Sequence, residues 1–214
     1  SIATGGPAGL YYPFGGGMAS VWSKQLTDVN VKAEVTGGSI TNVTQVARME
    51  SDLGIAMADV TTDAFLGQGL FEQALPLRVL FTAYPNIVHI LTLEDSGIAA
   101  VADLRGKRVA LGAQGSGTAV AAANVLRGLG VELDDIAPRY LSFAATTAAL
   151  KDGTVDAGFI VGARPLNEES ETKKTSSSRG LLSTPWRFQK TTGNEWGRGL
   201  ESIVSQVKKQ NSPF

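Results

Sequence analysis

The sequence predicts an α/β fold of two lobes in series, each an open sheet flanked by helices. Three observations predict it. Short apolar runs with strand character alternate with runs of helical spacing over residues 1–162, a glycine-containing turn repeatedly joins the two, and the alternation restarts near Asp95. Strand–helix alternation of this kind builds parallel sheets, and its repetition points to two units. With 214 residues, 43% of them apolar, the chain can bury a substantial core.

The first element is a strand at Ser1 to Thr4, ended by the turn Gly5-Gly6. Leu10, Phe14, Met18, Val21, Trp22 and Leu26 then recur at steps of three and four, with Gln25 as a polar intruder. This spacing predicts a helix from about Pro13 to Leu26, with Pro13 at its first position and Gly15-Gly16-Gly17 allowing close backbone approach. Val31 to Val35 reads as a strand, Thr36-Gly37-Gly38-Ser39 as a turn, and Ile40, Val43, Val46 and Ala47 as the buried stripe of a helix with Ser39 as N-cap. Asp52 to Val60 reads as a strand, followed by a polar loop and two extended apolar runs, Leu77 to Tyr84 and Val88 to Leu93, that cross between the lobes.

The second cycle places a turn at Asp103 to Lys107, a strand at Arg108 to Leu111, and a helix at Ser116 to Leu129. It continues with a strand at Arg139 to Phe143, a helix at Ala144 to Lys151 and a strand at Val155 to Val161. The expected division is therefore lobe 1 over 1–88, lobe 2 over 89–162, and a divergent polar tail over 163–214. Residues 1–160 carry 10 Lys/Arg against 15 Asp/Glu, whereas 161–214 carry 9 against 5. The low-hydrophobicity stretch at 166–180 is expected to be disordered, with an amphipathic helix near Leu200 to Val207.

Composition excludes several classes of function. The formal net charge is −1 and no long run of like charge occurs, which argues against nucleic acid or a membrane surface as partner. No apolar window approaches the 18 or so residues of a membrane span. Zero cysteines remove disulfides and thiolate sites, and are compatible with either redox compartment. The opening on Ser1-Ile2-Ala3, with no leader in front, fits a processed mature chain.

The chemistry is concentrated in Gly112 to Ala119, GAQGSGTA, between a strand and a helix. Gly115 and Gly117 allow close backbone approach, while Ser116 or Thr118 can cap the helix and face an anion at its positive end. A plain capped helix start accounts for the same residues. The phosphate-loop and dinucleotide patterns are both absent. Thr4-Gly5-Gly6 and Thr36-Gly37-Gly38-Ser39 are similar turns, so three helix N-termini from two lobes could converge on one small anion. Tyr11 and Tyr12 can supply a phenolic hydrogen bond and a flat wall, one of the pair being core. Asp59 suits either a ligand ammonium group or the cap of the turn at Thr61-Thr62. His89 is the one histidine and lies in an apolar run, as a packed core residue. Asp134-Asp135 reads as a solvated turn. No catalytic set, metal cluster or cofactor motif can be assembled from these residues, and the chain is read as a binder, not an enzyme.

Six ordered stretches, TGGPAGLYYPFGG, VTGGSITNV, DLGIAMADV, YPNIVHI, DSGIAAVADLRGKRVALGAQGSGT and LKDGTVDAGFIVG, resemble the TAXI family of extracytoplasmic solute receptors of TRAP transporters. The resemblance covers residues 1 to about 162. It implies a periplasmic-binding-protein fold of type II, two α/β lobes with a ligand cleft between them, and a monomer in the periplasm. The implied ligand is a small organic anion, glutamate-like or another carboxylate, delivered to membrane-embedded TRAP permease subunits. By motif, the implied ligand contacts are Gly5, Gly6, Tyr11 and Tyr12; Gly38 and Ser39; Ala58 and Asp59; Gly115, Ser116, Gly117 and Thr118; and Phe159. Met57 stands where the family leads one to expect glutamine. Residues 164–214 depart from the family's continuation, as a truncated or frame-shifted receptor would. The alternatives are an enzyme on the same scaffold and a non-binding remnant.

Overall fold

The structure, a computed structural model, describes residues 1–26 and 28–163 together with the backbone of Leu181–Thr184. The first lobe carries β1 (Ile2–Ala3), β2 (Ala33–Glu34) and β3 (Leu53–Gly54), all parallel in the order β2-β1-β3. Its helices are α1 (Tyr11–Gln25), α2 (Ser39–Ala47) and α3 (Ala58–Leu66). Parallel pairing requires a crossover between successive strands, and α1 and α2 supply it.

The second sheet has the order β6-β5-β7-β4-β8, built from β4 (Ile87–Leu93), β5 (Arg108–Ala110), β6 (Ala137–Arg139), β7 (Ala157–Gly162) and β8 (Leu181–Thr184). Strand β5 is parallel to β6 and β7, whereas β4 lies antiparallel to both β7 and β8. Helices α4 (Gly117–Gly128) and α5 (Phe143–Lys151) cover this sheet. Its core gathers Leu104, Val109, Leu111, Leu126, Val131 and Phe159, none more than 1% exposed. Burying side chains of this size contributes about 1.5–3 kcal/mol each before chain entropy is charged against it. Asp156 fastens the edge of the core. Its carboxylate accepts hydrogen bonds from the Arg108 backbone N–H (2.8 Å), Nε (3.0 Å) and Nη2 (2.6 Å), and this holds it below the usual carboxylate range.

Several elements differ from the sequence expectation. Helix α1 begins two residues before Pro13, which still falls in the first turn, where its missing N–H costs nothing. Of the glycine triplet only Gly15 needs to be glycine for space, because a Cβ there would lie 2.5 Å from Thr4 Cγ2; Gly16 and Gly17 face open space. The expected strand over Asp52 to Val60 is two residues of β3 followed by the start of α3. That helix buries Val60 and Ala64, its Thr61 and Thr62 hydroxyls bond back to Met57 and Ala58 carbonyls, and it ends at Gly67 in the left-handed region.

Of the two apolar runs expected to cross between lobes, only the second is a strand. Leu77 is buried, but the following residues are irregular, with Val79, Leu80 and Phe81 at 65%, 68% and 54% exposure. The second sheet also reaches beyond residue 162, taking in β8. The expectations for 166–180 and for a helix near Leu200 to Val207 lie outside the described residues. Among the described residues no helix is long and apolar enough to cross a membrane.

Candidate functional site

Asn42 organises the loops at the top of the first sheet. It is fully buried on α2, and its Nδ2 donates to the carbonyls of Thr4 (2.5 Å) and Ile55 (2.7 Å). The Thr36 hydroxyl lies 2.5 Å from Asn42 Oδ1 and 3.0 Å from the Thr4 carbonyl, and its single proton serves one of them. Thr36 Oγ1 in turn accepts the Gly38 N–H at 3.1 Å. One amide therefore ties the ends of all three strands, and so fixes the turns that start α1, α2 and α3.

These turns meet the second lobe directly. The Gly115 carbonyl accepts from the Ile40 and Thr41 N–H groups, at 3.1 and 3.3 Å, and so occupies the N-terminus of α2. The backbone that allows this is glycine-dependent: Gly38 has φ 115° and Gly115 φ 76°. A Cβ on Gly38 would lie 3.2 Å from Ser116 Cα, and one on Gly117 would lie 2.6 Å from both Ser39 Oγ and Met57 Sδ. Val120 of α4 packs against the apolar cluster of the first lobe formed by Val43, Val60, Ala64 and Leu77. The lobes thus touch along a seam that starts at the N-termini of α2 and α4.

Ser39 is the hub of that seam. It is the first residue of α2, not its N-cap, a position held by Gly38. Its buried Oγ accepts the Met57 N–H at 3.0 Å and lies 3.4 Å from the Tyr11 hydroxyl. Asn86 also bonds the Tyr11 hydroxyl, and burial keeps that phenol above its ordinary range, so it stays protonated and able to donate. Phe14 meets Tyr84 edge to face at 5.8 Å between ring centres. The Tyr84 hydroxyl is buried without a hydrogen-bond partner among the described residues, and burial raises its pKa as well.

Asp59 sits in the first turn of α3, where its Oδ1 accepts the adjacent Val60 N–H at 2.8 Å. Helix polarity favours its charge, but burial outweighs that and raises its pKa. An acid whose pKa is raised by folding adds stability at low pH and loses it as pH climbs through the folded value. Asp59→Asn is therefore expected to raise Tm at neutral pH, with the gain vanishing below the ordinary carboxylate range. Circular-dichroism melts at the two pH values check this; an equal or lower Tm for the variant at neutral pH would refute it.

The sequence-based site residues divide cleanly. Gly38, Ser39, Gly115, Ser116 and Gly117 converge at the seam, with Thr118 buried in the first turn of α4. Ser116 is the α4 N-cap, its Oγ accepting the Ala119 N–H at 3.2 Å. Gly5 packs beneath Tyr11, and the tight turn from Gly6 to Gly9 approaches the Phe143 ring across the seam. Tyr11 is the inward member of its pair and Tyr12 the exposed one. Ala58 and Asp59 begin a helix instead of ending a strand, because the strand stops at Gly54. Phe159 differs most: it has no exposure and its ring is packed in the second-lobe core, so it presents no surface to the seam. The expected convergence of three N-termini on one ligand is also changed, since Gly115 already serves α2.

Sequence reasoning missed Asn42, Tyr84, Asn86 and Phe143. Tyr84 and Asn86 stand in the stretch YPNIVHI, where apolar neighbours gave no hint of a polar role. Phe143 was assigned to the end of a strand, whereas Ser142 caps α5 and Phe143 opens it. His89 is buried on β4, in keeping with a core position. An open hollow bordered by Thr44, Arg48, Phe71 and Leu75 lies at the other end of α2, away from the seam. Among the described residues no group of His, Asp or Glu is placed to hold a metal ion.

Comparison with known proteins places this geometry. Over 95 residues the chain is 41% identical to an Escherichia coli (strain K12) protein named as a candidate aliphatic sulfonates-binding protein, a match covering 42% of this chain and 30% of the relative. The chain thus spans less than a third of that relative's length. Among solved structures it resembles the alkanesulfonate-binding protein SsuA from Xanthomonas axonopodis pv. citri bound to MOPS, with TM-score 0.56 and 20% identity over 97% of this chain and 71% of that one. It also resembles the amino acid ABC transporter substrate-binding protein AbpA from Streptococcus pneumoniae bound to L-arginine, with TM-score 0.55 and 15% identity over 98% and 89% of the two chains. These likenesses show the type II periplasmic-binding-protein fold. The NMT1-like family matches residues 2–182, about twenty residues further than the sequence motifs reach and up to β8; with most of its length matched, the chain belongs to the NMT1-like family.

Proposed function

We propose that the chain is an extracytoplasmic solute receptor that captures a small organic anion between its lobes and delivers it to a membrane transporter. The observation that carries this reading is the seam itself, where helix N-termini of both lobes, Ser39 of α2 and Gly117 of α4, lie within contact of each other. At α4 the first-turn amides have no helical acceptor and an anion is their natural partner, whereas the Ile40 and Thr41 amides of α2 are held by the Gly115 carbonyl and become donors to a solute when that contact opens. The Tyr11 hydroxyl and the orphan Tyr84 hydroxyl add donors beside them. A solute rich in acceptors would satisfy all of these at once.

The motif resemblance favours a TRAP permease as the transporter and a carboxylate as the head group. The sulfonate-binding relatives favour an anionic sulfonate head and an ABC transporter of the kind AbpA serves. Both head groups are compact anions that the same backbone donors would hold. An enzymatic reading lacks support, because among the described residues the seam supplies donors and packing but no nucleophile paired with a base.

Thermal unfolding of the purified chain against glutamate, 2-oxoglutarate, n-pentanoate and n-butanesulfonate tests the proposal. A solute at 100 times its Kd is expected to stabilise the fold by about 2.7 kcal/mol. Ser116→Ala combined with Thr118→Ala is expected to weaken binding about tenfold while leaving a cooperative transition, since a hydrogen bond to a charged group is worth roughly 1.5–3 kcal/mol. A cooperative transition that none of the four anions moves would overturn the reading.

A further inference from the structure

We infer that the turn Ala113 to Ser116 is an autoinhibitory latch, which in the vacant chain fastens α2 to the second lobe and which a solute must displace to load. The inference rests on the receptor reading above for the latch's role, and on the backbone of the seam for the contact itself. The Ser116 N–H closes the turn by donating to the Ala113 carbonyl at 3.1 Å, and Gly115 takes its third position with φ 76°, the left-handed value a type II turn requires. The Gly115 carbonyl is thereby presented to α2, whose Ile40 and Thr41 N–H groups donate to it at 3.1 and 3.3 Å. Both belong to the first turn of α2 and have no acceptor within their own helix. The second lobe gives them one in place of a solute.

Three glycines make the fit possible. A Cβ on Gly37 would lie 2.8 Å from the Gln114 carbonyl oxygen and 2.9 Å from Thr41 Oγ1, one on Gly115 would lie 2.7 Å from Thr41 Oγ1, and one on Gly38 would lie 3.2 Å from Ser116 Cα. The turn and α2 therefore meet backbone to backbone, with no side chain between them to hold the lobes apart. The contact is also reversible. Gly37, Thr41 and Gly115 are half-buried and Gln114 is exposed, so water can take over the freed amides and carbonyl when the turn lifts. Two hydrogen bonds of ordinary net strength then favour the latched form by about tenfold, enough to hold most vacant molecules shut and little enough for a solute to overcome.

Gly37→Ala tests the latch. Gly37 is not among the glycines with positive φ, so alanine suits its backbone, and the obstacle it meets is the Gln114 carbonyl across the seam. With an anion at the Ile40 and Thr41 amides the turn stands off, and the added methyl costs the loaded form nothing. Amide hydrogen exchange of the purified vacant chain, read by NMR and corrected for intrinsic rates, is expected to be about tenfold slower at Ile40 and Thr41 than at Phe143 and Ala144. The latter are first-turn amides of α5 with no acceptor among the described residues. Gly37→Ala is expected to remove that difference while melting cooperatively, and Gly16→Ala, whose Cβ meets nothing within 4 Å, to keep it. Calorimetric titration with n-butanesulfonate and L-glutamate is expected to show at least one of them binding about tenfold more tightly to Gly37→Ala than to the wild-type chain, because the fraction able to load has risen. Equal exchange at the two amide pairs in the wild-type chain would overturn the latch, and so would protection retained in folded Gly37→Ala, which would mean that Val120 and its apolar neighbours hold the seam. Lost protection with unchanged affinity would overturn the autoinhibitory role while leaving the receptor reading intact. Binding of neither anion to either chain would overturn the receptor reading and that role with it, and the exchange rates would still decide the contact.

Discussion

Asn42→Leu is expected to lower the stability of the chain by about 3 kcal/mol, because it leaves the buried Ile55 carbonyl without a donor, leaves the Thr4 carbonyl with the Thr36 hydroxyl alone, and crowds a filled position, the lost donor and the crowding each costing roughly 1–3 kcal/mol. The carbonyls are those of Thr4 and Ile55, which Asn42 Nδ2 serves at 2.5 and 2.7 Å. Leucine has the branching of asparagine but is bulkier, so crowding at this enclosed position adds to the loss of polar partners. For a chain of this size the change corresponds to a fall in Tm of roughly 6–12 °C. Urea denaturation of both proteins measures it directly; a loss below about 1 kcal/mol would show that these carbonyls find other donors. The effect extends to the site, since Thr4 leads into Gly5-Gly6 and Ile55 into Met57. A variant that stays folded at low temperature is still expected to have misplaced turns.

Gly117→Val is expected to leave both lobes folded and to prevent them from closing. The new Cβ would lie 2.6 Å from both Ser39 Oγ and Met57 Sδ. The methionine end can swing away, whereas Ser39 is held by α2 and by its bond to the Met57 N–H. Forcing bulk into a filled contact costs typically 1–3 kcal/mol, and with every 1.4 kcal/mol a factor of ten, affinity for any solute held by both lobes should fall about ten- to hundredfold. The melting transition should remain cooperative, since valine is no worse than glycine in a helix. Solute titration beside a thermal melt separates the two effects. Undiminished affinity in the folded variant would mean that the seam does not close on the solute.

The order of elements was legible because apolar periodicity and glycine turns are local signals. Helix α4 shows this best: Ser116 as cap, Gly117 as first residue and the alanine-rich body could each be read directly. Helix α3 is hidden in the sequence, because Ala58 to Val60 continue the strand-like run from Asp52 and the threonines after them resemble a loop, until Val60 and Ala64 are seen to share a buried face. The apolar run from Leu77 was overread, since hydrophobicity alone does not supply a neighbouring strand to pair with. In the site, glycines and serines were legible as turn chemistry. The cross-lobe partners were not: nothing local marks the Gly115 carbonyl as the acceptor for Ile40 and Thr41, or Phe159 as wholly enclosed. Asn42 was invisible for the same reason, because its three partners come from separate turns.

The bonds from Ile40 and Thr41 to Gly115 have a kinetic consequence. With its own carbonyl at the head of α2, the chain holds an internal competitor for the place the proposed anion would take. On the proposed reading, a solute enters between the lobes of those molecules in which that contact has let go. Apparent affinity is then the intrinsic affinity scaled by the admitting fraction, and capture at high solute concentration runs no faster than the rate of letting go. In the proposed receptor such an arrangement would trade speed of capture for a vacant form that does not stand gaping.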